Sequence, residues 1–148
     1  MKSEKVLIVI FLSIFLSGLF ISCKWEEETS YEYFRIKVDS IQLAEDPIAG
    51  TPFEIRFFGT IGSNGCYQFD EFSEKQTSNE IIIEAIGKYN KRANVCASVM
   101  VFLDGKKLNL RIEEPGRYHL KIKQPDGNYI ERKILVKESK RSRRLRGD

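Results

Sequence analysis

Few side chains in this sequence are suited to acid–base or nucleophilic chemistry. His119 is the single histidine, and a histidine that acts as a base needs a neighbouring group to orient it. No such group lies near it in the sequence. Asp70, Glu71 and Glu74 are carboxylates that suit acid–base work or calcium binding, but their spacing matches no EF-hand. The sequence therefore predicts a surface histidine and a solvated acidic loop, with no catalytic residue, metal site or cofactor.

Aromatic side chains provide a second kind of candidate surface. Five of them could line a ligand-binding face: Tyr31, Tyr33, Phe58, Tyr67 and Tyr89. Aromatic residues are enriched in β-strands in any case. Packing in the core or on the face of a sheet is therefore the competing interpretation, and it is the one that the sequence favours.

The N-terminus has the organisation of an export signal. Lys2 and Lys5 precede an apolar stretch over residues 6–21, slightly shorter than the roughly 20 residues that a membrane-spanning helix needs. Positive charge before a short apolar core, with small residues at its end, is typical of a secretory signal peptide. The alternative is that the stretch is retained as a transmembrane anchor.

The residues that end this stretch favour cleavage. Phe20-Ile21-Ser22-Cys23 resembles the lipobox of bacterial lipoproteins, although the most common first residue of that motif is Leu. The resemblance implies removal of residues 1–22, a diacylglycerol on the Cys23 thiol and acylation, such as palmitoylation, of the new amino group. Two or more acyl chains anchor a protein stably. We therefore expect a lipid-anchored protein of the cell envelope, at the outer membrane on its periplasmic or surface side.

Residues 23–30 are the expected tether between the lipid and the folded domain. Lys24 follows the cysteine at the position where the inner-membrane retention signal of enteric bacteria has Asp. The acidic residues Glu26, Glu27 and Glu28 resemble the surface-export signal of some Gram-negative lipoproteins. They are equally well explained as a solvated, extended linker, and both interpretations stay open.

Charge is distributed unevenly along the chain. The formal net charge is +3, but residues 24–138 carry 17 basic and 19 acidic side chains, and the positive excess lies in residues 139–148. That tail is almost free of apolar residues and is expected to be disordered. Its candidate partners are acidic glycans or phosphorylated lipid headgroups rather than nucleic acid, and a purely solubilising role is the alternative. Its end, Arg146-Gly147-Asp148, spells an integrin-recognition tripeptide, which chance also explains.

Cys66 and Cys96 remain once Cys23 is assigned to lipid. Two cysteines in an oxidising compartment form a disulfide by default. Closing a loop of about 30 residues contributes roughly 3.5 kcal/mol through chain entropy. The alternative is a pair of free buried thiols. A zinc site needs three or four ligands, and only His119 is available to join the pair.

Residues 31–138 contain short runs of alternating apolar and polar residues with turn signals between them, which is the pattern of β-strands. Eight strands are predicted, at residues 31–43, 53–61, 66–72, 80–87, 95–103, 108–112, 117–123 and 130–136. A change of phase predicts a bulge near Asp39 and Ser40. The polar residues 73–79 predict a loop. The uniformly apolar residues 95–103 predict a strand buried on both faces.

Eight short strands without an amphipathic helix predict a sandwich or barrel. Residues 32–137 resemble the immunoglobulin-like domains of bacterial lipoproteins in the turn Asn64-Gly65-Cys66, in the later Cys96 and in the hairpin over residues 115–122. The resemblance implies an all-β, antiparallel sandwich of seven to eight strands over residues 31–138. The sequence departs from antibody domains because its one tryptophan, Trp25, lies in the tether and not in the core.

These features predict a monomeric, non-catalytic binding or accessory module of the cell envelope. Such a module contacts protein or glycan through loops and sheet edges. One alternative is a small hydrolase or inhibitor on a β scaffold, which would need ionisable residues that meet in a cleft. Another is a structural envelope lipoprotein without a dedicated ligand.

Overall fold

The structure, a computed structural model, describes residues 30–43 and 47–139. These residues form an all-β fold, as predicted, with ten strands instead of seven to eight. The strands are β1 (Tyr31–Arg35), β2 (Ser40–Leu43), β3 (Phe53–Phe58), β4 (Thr60–Gly62), β5 (Tyr67–Gln76), β6 (Glu80–Asn90), β7 (Val101–Phe102), β8 (Lys106–Leu110), β9 (Gly116–Lys123) and β10 (Tyr129–Val136). This part of the chain contains no helix of the length and apolarity that crossing a membrane requires.

The first sheet is organised around β6, which has partners on both of its edges. β5 pairs with one edge in antiparallel orientation along nearly its whole length. The other edge is divided, because β1 pairs antiparallel with the C-terminal half of β6 and β9 pairs parallel with its N-terminal end. β10 pairs antiparallel with β9 and ends the sheet. The predicted antiparallel arrangement therefore holds for the described strand pairs with the exception of β6 and β9.

The second sheet has the strand order β2-β3-β8, with antiparallel pairing throughout. After Gly59 the chain continues from β3 into β4. β4 pairs with β7, the strand that precedes β8 in the sequence. The turn between β7 and β8 contains two residues with positive φ, Asp104 at 42° and Gly105 at 74°. Glycine adopts this region without strain and aspartate tolerates it. Asp104 and Gly105 therefore form the turn that leads from β7 into β8.

The core lies between the two sheets. Along β6, Ile81, Ile83 and Ala85 are fully buried, and the residues between them face outward and are half-buried. The rings of Phe57 on β3 and Phe72 on β5 lie 4.5 Å apart and connect the two layers. Because β-branched and aromatic side chains pack well on pleated surfaces, these strands form a sandwich-like architecture around an apolar centre.

The change of hydrophobic phase near Asp39 marks a crossover between the sheets. β1 belongs to the first sheet, β2 belongs to the second, and residues 36–39 connect them. Ile36 and Val38 in this connection are buried. The predicted bulge at Asp39 and Ser40 is therefore wrong, because the pattern shifts where the chain leaves one sheet for the other.

Two further local predictions were wrong. Residues 73–79 were predicted as a loop, but β5 continues to Gln76 with its last four residues exposed. Both faces of the strand are solvated there, so the polarity of its residues does not alternate. The apolar residues 95–103 were predicted as a buried strand, but residues 91–100 form a loop and only β7 is extended into a ladder. Apolar composition alone did not distinguish a buried strand from an exposed loop.

Candidate functional site

The predicted disulfide between Cys66 and Cys96 is present, with the two Cα atoms 5.3 Å apart. Cys66 directly precedes β5, and Cys96 lies in the loop that follows β6. Cys96 was expected in a strand but lies in a loop. The bond therefore joins two connections at one end of the sandwich and does not cross its centre. The backbone N–H of Gly65 donates to the carbonyl of Ala97 at 2.9 Å beside the bond. This loop is thus held in place by both a covalent and a hydrogen-bonded contact.

Residues 91–102, here called the disulfide segment, expose several apolar side chains. The exposed fractions are 88% for Val95, 54% for Val99, 51% for Met100 and 53% for Phe102. A contiguous group of exposed apolar side chains commonly marks a contact surface. The disulfide segment is therefore one candidate interaction site.

The disulfide segment begins where the chain enters the domain from its N-terminal side. The backbone N–H of Lys91 donates to the carbonyl of Ser30 at 3.0 Å. Tyr31, the first residue of β1, stands opposite Asn90, the last residue of β6. We call this end of the sandwich the tether end, since residues 23–30 were predicted as the tether.

A cleft with a volume of about 780 Å³ opens at the other end of the first sheet. Its lining includes Ile48, Thr51, Pro115 and Leu135. A parallel bridge between Ile48 and Lys137 forms one side of it, reinforced by a hydrogen bond of 2.9 Å from the Ala49 N–H to the Lys137 carbonyl. We call it the distal cleft, because the register of β6, β9 and β10 places Leu135 far from Asn90.

The distal cleft adjoins the open edge of β10. This strand is the last of its sheet and pairs with β9 alone along its named length. Glu131, Arg132 and Lys133 in the middle of the strand are exposed, and charges of this kind protect an edge against unwanted strand pairing. Leu135 follows them with 57% of its surface exposed. The protected part of the edge therefore ends where the cleft begins.

Ion pairs cover the outer face of the first sheet. Glu84 contacts Arg35 at 2.9 Å and Lys123 at 3.1 Å, and Glu80 contacts Lys121 at 2.7 Å. Partial burial raises the pKa of Glu84, but hydrogen bonds from Arg35 and Lys123 outweigh it and hold this pKa below its usual range. The hydrogen bond from Lys121 lowers the pKa of Glu80. These carboxylates are held ionised by cations on neighbouring strands, which suits strand cohesion better than proton transfer near neutral pH.

His119 lies on this outer face, as its strand phase predicted, and is half-buried. It stands opposite Glu80 in the parallel pairing of β9 with β6. The acidic group containing Asp70, Glu71 and Glu74 lies on β5, across β6 from β9, and Asp70 pairs with a lysine. The structure therefore does not bring His119 and these acids together. Within residues 30–43 and 47–139, no three His, Cys, Asp or Glu side chains are grouped so that they could hold a metal ion.

The candidate aromatic residues divide between the two sheets. Tyr67 and Tyr89 pack against each other with ring centroids 4.7 Å apart, close to the start of β1 at Tyr31. Tyr33 is 61% exposed, whereas Phe58 lies on β3 in the other sheet. The five residues do not form one platform, and packing on the sheet faces explains Tyr67 and Tyr89.

The disulfide segment and the distal cleft were not identified from the sequence as interaction surfaces. Asn94 directly before the apolar run and Ser98 within it are polar, and they were the available signal that the run is not a buried strand. Leu135 lies between Ile134 and Val136, two apolar residues of the predicted last strand. An outward-facing leucine at position 135 was therefore implied by the alternation, although the cleft beside it was not.

The predictions for Cys23, Lys24 and Glu26–Glu28 lie outside the residues that the structure describes, and so do those for the tail beyond Ser139. They therefore stay predictions. The chain was also compared with known proteins at three levels. No family model, no curated protein and no solved structure matches it.

Proposed function

We propose that this chain is a lipid-anchored envelope protein whose immunoglobulin-like sandwich is a non-catalytic binding module. The observation that carries the proposal is the position of the distal cleft, which opens at the end of the first sheet opposite Ser30. A domain that is tethered at one end presents its other end to partners. The signal sequence and Cys23 support the anchor, and the Cys66–Cys96 disulfide supports an oxidising compartment.

The proposed partner is an extended segment of another envelope protein, added as a strand beside β10 up to Leu135, because residues 47–49 already occupy the edge at Lys137. Edge strands offer free backbone N–H and C=O groups, and neighbouring pockets select the side chains of the added strand. Leu135 and Ile48 provide the apolar contacts, with exposed fractions of 57% and 43%. Burying half of such a side chain is worth about 1 kcal/mol. A reversible interaction of modest affinity is therefore expected.

The ion pairs of the outer face support a role without catalysis. Glu80 and Glu84 are already engaged by cations on adjacent strands, and His119 is separated from the acids of β5 by β6. These ion pairs stabilise the joint between the strands, that is, the region where β1 and β9 meet along the same edge of β6. This joint is the frame that supports β10 and the distal cleft.

Site-specific photocrosslinking in the native envelope tests the proposal. A photoreactive amino acid is placed at Leu135, at Ile48 and, as a control, at Gln68, an exposed residue on β5. We expect a discrete protein adduct from the first two positions and none from Gln68. The adduct from position 48 should disappear when Leu135→Glu is added. The same adducts from all three positions, or none from positions 48 and 135, would overturn the proposal.

A further inference from the structure

We infer that the disulfide segment lies against the lipid bilayer and inserts Val95, Val99 and Met100 between its headgroups and acyl chains. This inference rests on the lipid anchor at Cys23 that forms part of the proposed function. It assigns a second membrane contact to the folded domain, in addition to the lipid on the cysteine.

The first argument is the clustering of exposed apolar side chains. Eight large hydrophobic residues are exposed in the described chain, and four of them belong to the twelve residues of the disulfide segment. Isolated exposed apolar residues are ordinary, but a contiguous group marks a contact with protein or membrane. Four exposed apolar residues within one segment therefore favour a contact here, and the place of the segment in the fold indicates the partner.

The second argument is that the segment cannot turn these side chains into the core. Cys96 is bonded to the buried Cys66, and the Gly65 N–H donates to the Ala97 carbonyl at 2.9 Å. A further hydrogen bond of 2.9 Å joins the Val99 N–H to the same carbonyl. The segment is a preorganised projection, so inserting it into a lipid surface requires little additional ordering.

The third argument is the short distance to the anchor. Ser30 contacts Lys91 at the start of the disulfide segment, and six residues separate Ser30 from Cys23. Even a fully extended chain of this length spans only about 24 Å. The distal cleft lies a further 35 Å or so away, because β6 has 11 residues at about 3.3 Å each. The tether therefore keeps the disulfide segment next to the bilayer and the cleft away from it.

The fourth argument is that two lysines at this end, Lys88 and Lys91, are compensated. Lys88 pairs with Asp70 at 2.8 Å, and Lys91 pairs with Glu32 at 3.0 Å. Attraction to anionic headgroups is therefore a minor contribution, and the apolar side chains supply the contact. We expect insertion to persist at high salt and in vesicles without anionic lipid, in contrast to binding by a basic patch.

Tryptophan fluorescence in reconstituted vesicles tests the inference. The lipid-modified full chain carries Trp25→Phe, which removes its one tryptophan, and then either Val99→Trp or Leu135→Trp. These two positions are matched in exposure, at 54% and 57%, and lie at opposite ends of the sandwich. The vesicles contain phosphatidylethanolamine and phosphatidylglycerol, with or without bromine on the acyl chains.

We expect blue-shifted emission from the tryptophan at position 99. We also expect brominated lipid to quench it roughly threefold more strongly than the tryptophan at position 135, since interfacial groups reach about 5–10 Å into the boundary between headgroups and acyl chains. Equal quenching at both positions in a chain that floats with the vesicles overturns the inference and leaves the anchor intact. A chain that does not float overturns the anchor and the inference together. A blue shift in native envelopes without quenching in vesicles assigns the disulfide segment to a protein partner. This result also overturns the inference.

Met100→Trp provides a second probe in case Val99→Trp disturbs the loop. A mass that is two hydrogens lower than that of the reduced chain verifies that each variant retains the disulfide. The same difference in quenching is expected for Met100→Trp, and its absence at both loop positions contradicts the inference.

Discussion

The side-chain amide of Gln124 accepts a hydrogen bond of 3.1 Å from the buried backbone N–H of Val38. The same amide donates to the carbonyl of Ile122 at 3.3 Å, and Gln124 is only 8% exposed. Val38 belongs to the crossover between the sheets, whereas Gln124 directly follows β9. One side chain therefore hydrogen-bonds two buried backbone groups, the Val38 N–H and the Ile122 carbonyl, where the first and last thirds of the domain meet.

Replacing Gln124 with leucine should destabilise the domain by about 1–3 kcal/mol, because the buried N–H of Val38 would lose its acceptor. The change keeps a similar side-chain volume, so it isolates the hydrogen bond from packing. The free energy of unfolding in denaturant measures the effect. Gln68→Leu, at an exposed position on β5, is the control, and equal stability of the two variants would contradict this role of Gln124.

A methyl group at Gly59 should destabilise the domain by about 1–3 kcal/mol through overpacking. A Cβ atom there would overlap the carbonyl oxygen of Lys37 and approach the Cα of Val38 within 3.2 Å. Both obstacles are backbone atoms of the crossover, so no rotamer change relieves them. Gly116→Ala is the matched control, because its Cβ would meet only the Tyr118 ring at 3.7 Å. Thermal unfolding of the two variants compares them directly.

Removing the disulfide by Cys66→Ala and Cys96→Ala should lower the free energy of unfolding by about 3.5 kcal/mol, from the chain entropy of its closed loop. The disulfide segment should also become accessible to proteases, since its covalent attachment is lost. Denaturant unfolding and limited proteolysis measure these effects. Free labelling of both thiols in the unreduced native chain would show that the bond does not form.

Stability should fall with acidification partly through Glu84. Its pKa in the folded chain lies below the usual value near 4.5 because Arg35 and Lys123 outweigh its partial burial. The unfolded chain therefore binds the proton more readily, and the stabilisation is present above pH 4.5 and lost as pH falls through the lower folded pKa. Glu84→Gln should flatten the dependence of stability on pH in that window.

Glu71→Gln is the control for this titration, because Glu71 is exposed and has no ion pair among the described residues. It removes a carboxylate without breaking an ion pair among the described residues. Unfolding in denaturant at a series of acidic pH values compares the three chains. A slope for Glu84→Gln identical to that of the parent would remove Glu84 from the explanation.

Cys23→Ala should release the chain from the membrane fraction, because the thiol that receives the diacylglycerol is absent. Fractionation followed by immunoblotting measures the distribution, with Cys66→Ala as the control that changes a cysteine of the folded domain. A Cys23→Ala chain that stays fully in the membrane fraction would indicate a retained N-terminal helix and contradict lipid anchoring.

The sequence predicted the fold class well where burial is one-sided. Along β9 the alternation identified the inward residues Tyr118, Leu120 and Ile122, which are buried. It did not predict the parallel pairing of β9 with β6, since pairing of residues 119 and 80 depends on the whole sheet. Local patterns specify which face is buried, and long-range packing specifies the neighbour.

The candidate sites were predicted less completely than the fold. The disulfide followed from cysteine counting, but its position at the tether end did not. Val95 and Val99 were expected in the core, because an apolar run predicts burial. The sequence does not show that the disulfide holds this run at the surface. The distal cleft escaped prediction because it is formed by Ile48 and Leu135, which are distant in sequence and come together only through the bridge at Lys137.

The divided edge of β6 has a consequence for the order in which the chain folds. β1 covers one half of that edge, and the other half stays unpaired until β9 arrives. As the chain is made from its N-terminus, Ile81, Ile82 and Ile83 of β6 therefore remain without their final neighbour until β9 is available. Contacts between such distant residues slow folding and leave an aggregation-prone strand open in the interval. The domain thus completes its folding late, because the first sheet closes only when β9 pairs with β6.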